Sequence, residues 1–203
     1  MTNIILALTG SVASIKLKDL IKNLKSINDK INLILICTQN SKHFIQNEIV
    51  KTSEKVKLNG FELDIKWSCY EVPLFDDEIE WTSWNNRNDP VIHIELRKWA
   101  DLILIAPLDA NTLAKISNGI CDNLLTSLIR AWDIKKPQLC APAMNTFMYE
   151  HPHTAKHLKI LEEELNFIVI PPKVKLLACG DYGIGAMEEP NIIGEKVKLM
   201  LNI

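Results

Sequence analysis

The 203-residue chain carries 23 Lys and Arg against 25 Asp and Glu, a net charge of −2. That balance supplies no basic field for nucleic acid or an anionic membrane surface, and no apolar run reaches the roughly 20 residues of a membrane-spanning helix. With 47% apolar residues, length and composition predict one domain, residues 1–203, with one core. The five cysteines, Cys37, Cys69, Cys121, Cys140 and Cys179, are an odd set without a CxxC pair. They argue against a disulfide scaffold and against a zinc site, and they suit a reducing cytoplasm. The apolar start, Met1 to Ser11, lacks the basic leader of a secretory signal.

Ile4 to Leu8 reads as a short buried strand, broken by Thr9, Gly10 and Ser11 before a helical pattern with Val12, Ile15, Leu20, Ile21 and Leu24 on one side. The turn is open to an anion: Gly10 permits close backbone approach, Ser11 offers a hydroxyl, and the helix start offers free N–H groups. The competing reading is a plain βα turn with a Ser cap. It is neither GxGxxG nor a Walker loop, so neither a dinucleotide nor a triphosphate is indicated. Ile31 to Cys37 repeats the pattern and ends in Thr38, Gln39, Asn40 and Ser41. Two such turns on neighbouring strands converge on one phosphate better than either alone.

From Asn47 to Asp89 periodicity is poor. A lysine patch (Lys51, Lys55, Lys57) precedes Tyr70 to Phe75 and the acidic run Asp76, Asp77, Glu78 and Glu80 beside Trp81 and Trp84. The charge run reads as a solvated face or loop, and the long irregular segment as a lid or interface. Val91 to Trp99 then predicts a short amphipathic helix. A lone histidine such as His93 is more often structural than catalytic.

Leu102 to Ala106 is an unbroken apolar run, the pattern of a parallel strand covered on both faces, and Pro107 is expected to end it. Leu108 to Thr112 forms the turn into a helix at Leu113 to Ser117. Open α/β sheets bind ligands at such carboxyl-end turns. Asp109, Asn111 and Thr112 supply acceptors and hydroxyl or amide groups, though any of them equally suits a helix cap. Gly119 suggests a C-cap and Asp122 an N-cap for a helix from Leu124 to Trp132. Pro137 to Ala141 is the next strand, which places Asn145 on the same sheet edge as Asn111.

His151, His153 and His157 match no zinc spacing, so no metal is expected. Phe167 to Ile170 reads as the last strand. Lys173 to Met187 holds Gly180, Gly183 and Gly185 with Cys179 near its start, the composition of a mobile active-site flap; an inert thiol is the alternative. Glu195 to Leu201 closes the chain as a helix.

Several of these segments together resemble the flavin-containing cysteine decarboxylase family. They are Gly10 to Val12, His93 to Asp101 (HIELRKWAD), Ala106 to Asn123, Pro142 to Thr146 (PAMNT) and Leu177 to Met187 (LACGDYGIGAM). The resemblance covers nearly the whole chain and is weak only at about Asn47 to Lys66. It implies a Rossmann-like (flavodoxin-like) doubly wound parallel sheet in three α/β/α layers, binding FMN, as a homotrimer or an assembly of trimers. It further implies that Gly10, Ser11 and Val12, with Thr38 and Ser41, hold the phosphate, and that Asp109, Ala110, Asn111, Thr112 and Ala143 surround the flavin. Asp109 stands where the family commonly has Ser.

The implied reaction is loss of CO₂ from 4′-phospho-N-pantothenoylcysteine to give 4′-phosphopantetheine, a step of coenzyme A synthesis. A cysteinyl carboxylate has no adjacent electron sink, and oxidation of its thiol to a thioaldehyde creates one. By the same resemblance His93 is the base, Asn145 the contact to the substrate carboxylate, and Cys179 the acid that protonates the enethiol. Arg97 and Lys98 partner the substrate's acidic groups. Some members of the family are inhibitory subunits of a protein phosphatase, and these tend to carry long polar or acidic extensions. A fold beginning at Ile4 and ending at Leu201, with His93, Asn145 and Cys179 in one chain, favours the enzyme.

Overall fold

The computed structural model describes residues 1–202. Its first strand, β1 (Thr2–Leu8), shows why the apolar runs are continuous. Ile5 and Ala7 pack into a core on one face of the sheet, while Ile4, Leu6 and Leu8 pack into a second core on the other. Each fully buried Ile or Leu contributes roughly 1.5–3 kcal/mol, so such a strand is held from both sides.

A short 3-10 turn, Val12–Lys16, leads into α1 (Leu17–Lys25), followed by β2 (Ile31–Cys37) and α2 (Gln39–Ile45). Next come β3 (Ile49–Leu58), β4 (Phe61–Ser68), β5 (Pro73–Phe75), α3 (Asp77–Thr82) and α4 (Ile92–Trp99). The middle of the chain gives β6 (Leu102–Leu108), α5 (Ala110–Ser117), α6 (Leu124–Arg130) and β7 (Gln138–Pro142). The last part gives α7 (Thr146–Glu150), α8 (Pro152–Glu163), β8 (Ile168–Val169), β9 (Lys173–Leu176), β10 (Tyr182–Ala186) and α9 (Pro190–Leu201).

The main sheet runs β3-β4-β5-β2-β1-β6-β7-β8, with β5 through β8 mutually parallel and β3 and β4 antiparallel. Helices α1 and α9 cover one face; α4, α5, α6 and α8 cover the other. This is the three-layer, doubly wound α/β/α fold expected. All the parallel strands point the same way, so their carboxyl ends and the βα turns gather on one edge.

Several expectations need correction. The poorly periodic region is not a loop: β3 and β4 form a hairpin that widens the sheet, closed by a two-residue turn at Asn59 (φ 48°) and Gly60 (φ 95°) between the paired Leu58 and Phe61. The acidic run is a solvated face only in part: Glu78 is exposed, whereas Asp76 and Glu80 are shielded. Asp76 is buried, caps α3 and takes Lys42 and Lys66 at 2.9 and 3.1 Å. Burial opposes its charge, but the two ammonium groups win and hold its carboxyl below the usual range.

Pro107 does not end β6, which continues to Leu108. The N-cap of α6 is Asn123, in a capping box with Thr126, while Asp122 bonds Lys115 Nζ at 2.6 Å. Phe167 to Ile170 is not the last strand, because the glycine-rich segment folds into the separate β9–β10 hairpin. Val12 and Ile15 do not join the core: they are 43% and 58% exposed.

Candidate active site

The turns after β1 and β6 are bound to each other. Thr9 Oγ1 donates to Pro107 O at 2.8 Å and accepts from Asp109 N at 2.7 Å. Asp109 caps α5 by accepting from Thr112 N at 2.7 Å, and its other oxygen accepts from Gly10 N at 3.1 Å. Its carboxylate is thus both a helix cap and a tie between the two turns. Thr9 was missed from sequence; its signal was a hydroxyl residue at a strand end.

Gly10 is required by space. A Cβ there would lie 2.9 Å from both Asn40 Cβ and Asp109 Oδ2. The third turn is built alike: Thr38 caps α2, and the buried Ser41 hydroxyl donates to Thr38 O at 2.8 Å. Ser11 is half-buried and caps the following 3-10 turn, and Asn111 is exposed.

Beside these turns lies a cleft of about 360 Å³ lined by Ser11, Val12, Lys16, Ala143, Asn145 and Cys179, among others. Val12 and Ile15 form part of its wall, which explains two apolar side chains left outside the core. The β9–β10 hairpin makes the opposite wall and is seated by its glycines. Met144 N donates to Gly185 O at 3.0 Å, and a Cβ on Gly185 (φ 138°) would come within 2.2 Å of Met144 O. A Cβ on Gly183 would likewise meet Thr146 Oγ1 at 2.5 Å.

That seating carries Cys179 to Asn145. Asn145 Oδ1 caps α7 by accepting from Phe147 N at 2.9 Å, which turns Nδ2 outward. Nδ2 lies 3.3 Å from Cys179 Sγ and donates to Asp181 Oδ2 at 2.6 Å, and Sγ lies 3.4 Å from the same Asp181 oxygen. Asp181 is a further site residue missed from sequence, since nothing in its spacing distinguishes it from a hairpin residue. At the cleft's rim Lys16 bonds Glu189 at 2.7 Å, and Lys173 bonds its other oxygen. These two bonds pull the Glu189 carboxyl down to about 2.

All five cysteines are free. Burial pushes the Cys37 thiol up to about 12 and raises Cys140 as well, so both are poor nucleophiles. Cys179 is exposed in the cleft.

His93, Arg97 and Lys98 do not line this cleft. Their helix α4 packs through Ile92 and Leu96 into the core on one face, whereas Ala143 and Met187 of the cleft belong to the core on the other. His93 Nδ1 lies 2.5 Å from Glu80 Oε1, and His93 N donates to Glu80 Oε2 at 3.0 Å. Lys98 is paired with Glu95 at 2.7 Å. The Arg97 Nε is buried with no protein partner among the described residues. One chain therefore brings Asn145 and Cys179 together with Ser11, Val12 and Ala143, and holds His93 elsewhere.

A cleft at the carboxyl edge of a doubly wound sheet, bordered by hydrogen-bonded βα turns, is where this class of α/β protein takes its ligand. The family model Flavoprotein matches residues 1–202. A phosphopantothenoylcysteine decarboxylase of Arabidopsis thaliana is 47% identical over 97% of this chain and 83% of its own length. That of Mus musculus is 43% identical over 98% and 87%. Among solved structures, a cysteine-to-serine mutant of PPC decarboxylase complexed with pantothenoylaminoethenethiol matches with TM-score 0.83 at 44% identity, over 100% of this chain and 99% of that one. The FMN binding protein AtHal3 matches at 0.80 and 45%, over 99% and 97%. The chain belongs to the flavoprotein family and, within it, to the phosphopantothenoylcysteine decarboxylases.

Proposed function

We propose that the protein is an FMN-dependent carboxy-lyase that converts 4′-phospho-N-pantothenoylcysteine to 4′-phosphopantetheine and CO₂ in coenzyme A synthesis, working in the cytoplasm as one unit over residues 1–203. The observation that carries this reading is the meeting of Asn145 Nδ2 and Cys179 Sγ at 3.3 Å in the cleft beside the Gly10 turn.

The residues fit FMN. Ser11 and Val12 stand on the cleft wall at the start of the 3-10 turn, whose first N–H groups would take a phosphate, and the turn that Thr38 and Ser41 shape packs beside it, with Asn40 close against Gly10. Ala143 on the cleft wall, with Asp109, Ala110, Asn111 and Thr112 of the turn after β6, would hold the ring. When bound, FMN supplies the hydride acceptor and donor that a thiol-to-thioaldehyde oxidation and its reversal require.

The chain's own groups do the rest. His93 takes the substrate's thiol proton. Asn145 Nδ2 donates to the carboxylate that leaves as CO₂ and orients it, and Cys179 Sγ donates a proton to the enethiol carbon. Arg97 and Lys98, which lie outside this chain's cleft, would meet the substrate's acidic groups from a second copy.

The separation of His93 from the cleft supports a homotrimer in which a second copy brings its His93 to the Cys179 side. Phe147, Met148, Tyr182 and Leu176, all exposed large apolar residues in or next to the Asn145 and flap segments, are surface for such a contact. Turnover of phosphopantothenoylcysteine, read as CO₂ and product mass, tests the activity. Light scattering at micromolar protein tests the assembly, with a monomer as the result against it.

A further inference from the structure

The His93 imidazole is held by a carboxylate from another element, and the way it is held selects one ring nitrogen. Glu80, on α3, presents both oxygens to His93 on α4: Oε2 accepts from the backbone N–H at 3.0 Å, and Oε1 lies 2.5 Å from Nδ1. Both side chains are shielded, Glu80 at 11% exposure and His93 at 24%. The rest of the acidic run is engaged elsewhere. Asp76 holds Lys42 and Lys66, Asp77 accepts from Leu124 N at 2.8 Å, and Glu78 bonds Lys66 at 2.6 Å.

A carboxylate only accepts, so Nδ1 must carry the hydrogen, and in the neutral ring the lone pair lies on Nε2. The backbone bond fixes the carboxylate's orientation at the same time. The N-cap residue Val91 has no side-chain cap, and Glu80 satisfies one of the orphan N–H groups of α4 in its place. A cap needs one oxygen; here the second is committed to the ring.

We propose that Glu80 is a positioning residue for the reaction, holding His93 as the Nδ1–H tautomer so that Nε2 is the atom that accepts the substrate's proton. This rests on the reading of His93 as the base.

Glu80→Gln is the informative variant, because it keeps shape and cap but replaces one of the two accepting oxygens, each of which serves its own donor, by an NH₂. The backbone N–H always donates, so the Gln oxygen stays with it and the NH₂ faces Nδ1. That forces hydrogen onto Nε2. The experiment is ¹⁵N NMR of the histidine-labelled, FMN-loaded protein, with the His93 signals identified by their loss in His93→Asn, alongside steady-state kinetics and thermal unfolding.

The native protein is expected to show a pyridine-type Nε2, and Glu80→Gln a pyridine-type Nδ1 with kcat down at least about tenfold at little change in KM or Tm. A native ring already protonated at Nε2 when neutral, an unchanged tautomer in the variant, or a changed tautomer with native kcat would each overturn the proposal. Normal turnover by His93→Asn would instead overturn the assignment of the base. The tautomer is read without turnover, so the two failures are distinguishable.

Discussion

The cleft around Cys179 and the clamp around His93 are built by opposite means. Cys179 sits exposed on a two-stranded hairpin outside the main sheet, seated on Met144 to Thr146 by glycines at Gly183 and Gly185. His93 sits in the first turn of a helix packed on the main core, its ring already bonded by a shielded carboxylate. Groups on a small exposed hairpin open at low free energy, while groups on core helices move only with the core. The difference fits a division of labour. In the proposed roles, a thiol that admits substrate and then delivers a proton belongs on a movable piece, and a base that presents one nitrogen belongs on a rigid one.

The largest effects should fall on the clamp side. His93→Asn is expected to lower CO₂ release by on the order of 10²–10⁴, measured in single turnover, the loss that removing the proposed general base would bring. Cys179→Ser should split the reaction instead of stopping it. CO₂ is still released, and the product is two hydrogens lighter than 4′-phosphopantetheine by mass spectrometry. If both variants turned over normally, the site as assigned would be wrong.

Gly185→Ala attacks the seating of the hairpin. Its Cβ meets Met144 O at 2.2 Å and its φ of 138° strains any side chain. A loss of about 1–3 kcal/mol in denaturant unfolding is expected, with weakened reduction of the product and unchanged His93 ring signals. Gly60→Ala, in the β3–β4 turn, should cost about 1 kcal/mol and leave turnover alone, since it touches neither region.

The smallest effect concerns pH. Glu189 is held down to about 2 from 4.5 by Lys16 and Lys173. A depressed carboxylate stabilises the fold fully above its unfolded value and loses that contribution as pH falls from about 4.5 toward 2. The stability gap between native protein and Glu189→Gln should therefore be present at pH 7 and close across that window. It should be small, because the pair is partly exposed.

The parallel strands were legible because burial on both faces writes an unbroken apolar run, as in Leu102 to Ala106. The β3–β4 hairpin was not, because β3 is exposed along most of its length and carries no alternating signal. Its one mark was the Asn59-Gly60 pair, the usual two-residue hairpin turn. Helix caps were half legible: Gly119 does follow the end of α5 with φ 70°, while Asn123 took the cap expected of Asp122.

At the site, Asn145 and Cys179 stand out in the sequence through the family resemblance, and the structure places Asn145 Nδ2 3.3 Å from Cys179 Sγ. Glu80 and Asp181 were hidden because their roles depend on contacts 13 and 36 residues away in sequence, which no local spacing encodes. The charge of Glu80 was read as solvation when it is a bond to a ring.

The most direct test mixes the purified protein with phosphopantothenoylcysteine and follows CO₂, product mass and flavin absorbance together. The account predicts bound FMN, CO₂ release and a saturated product two hydrogens heavier than the enethiol. Bound FMN with no turnover would contradict it and favour a regulatory role for the same fold.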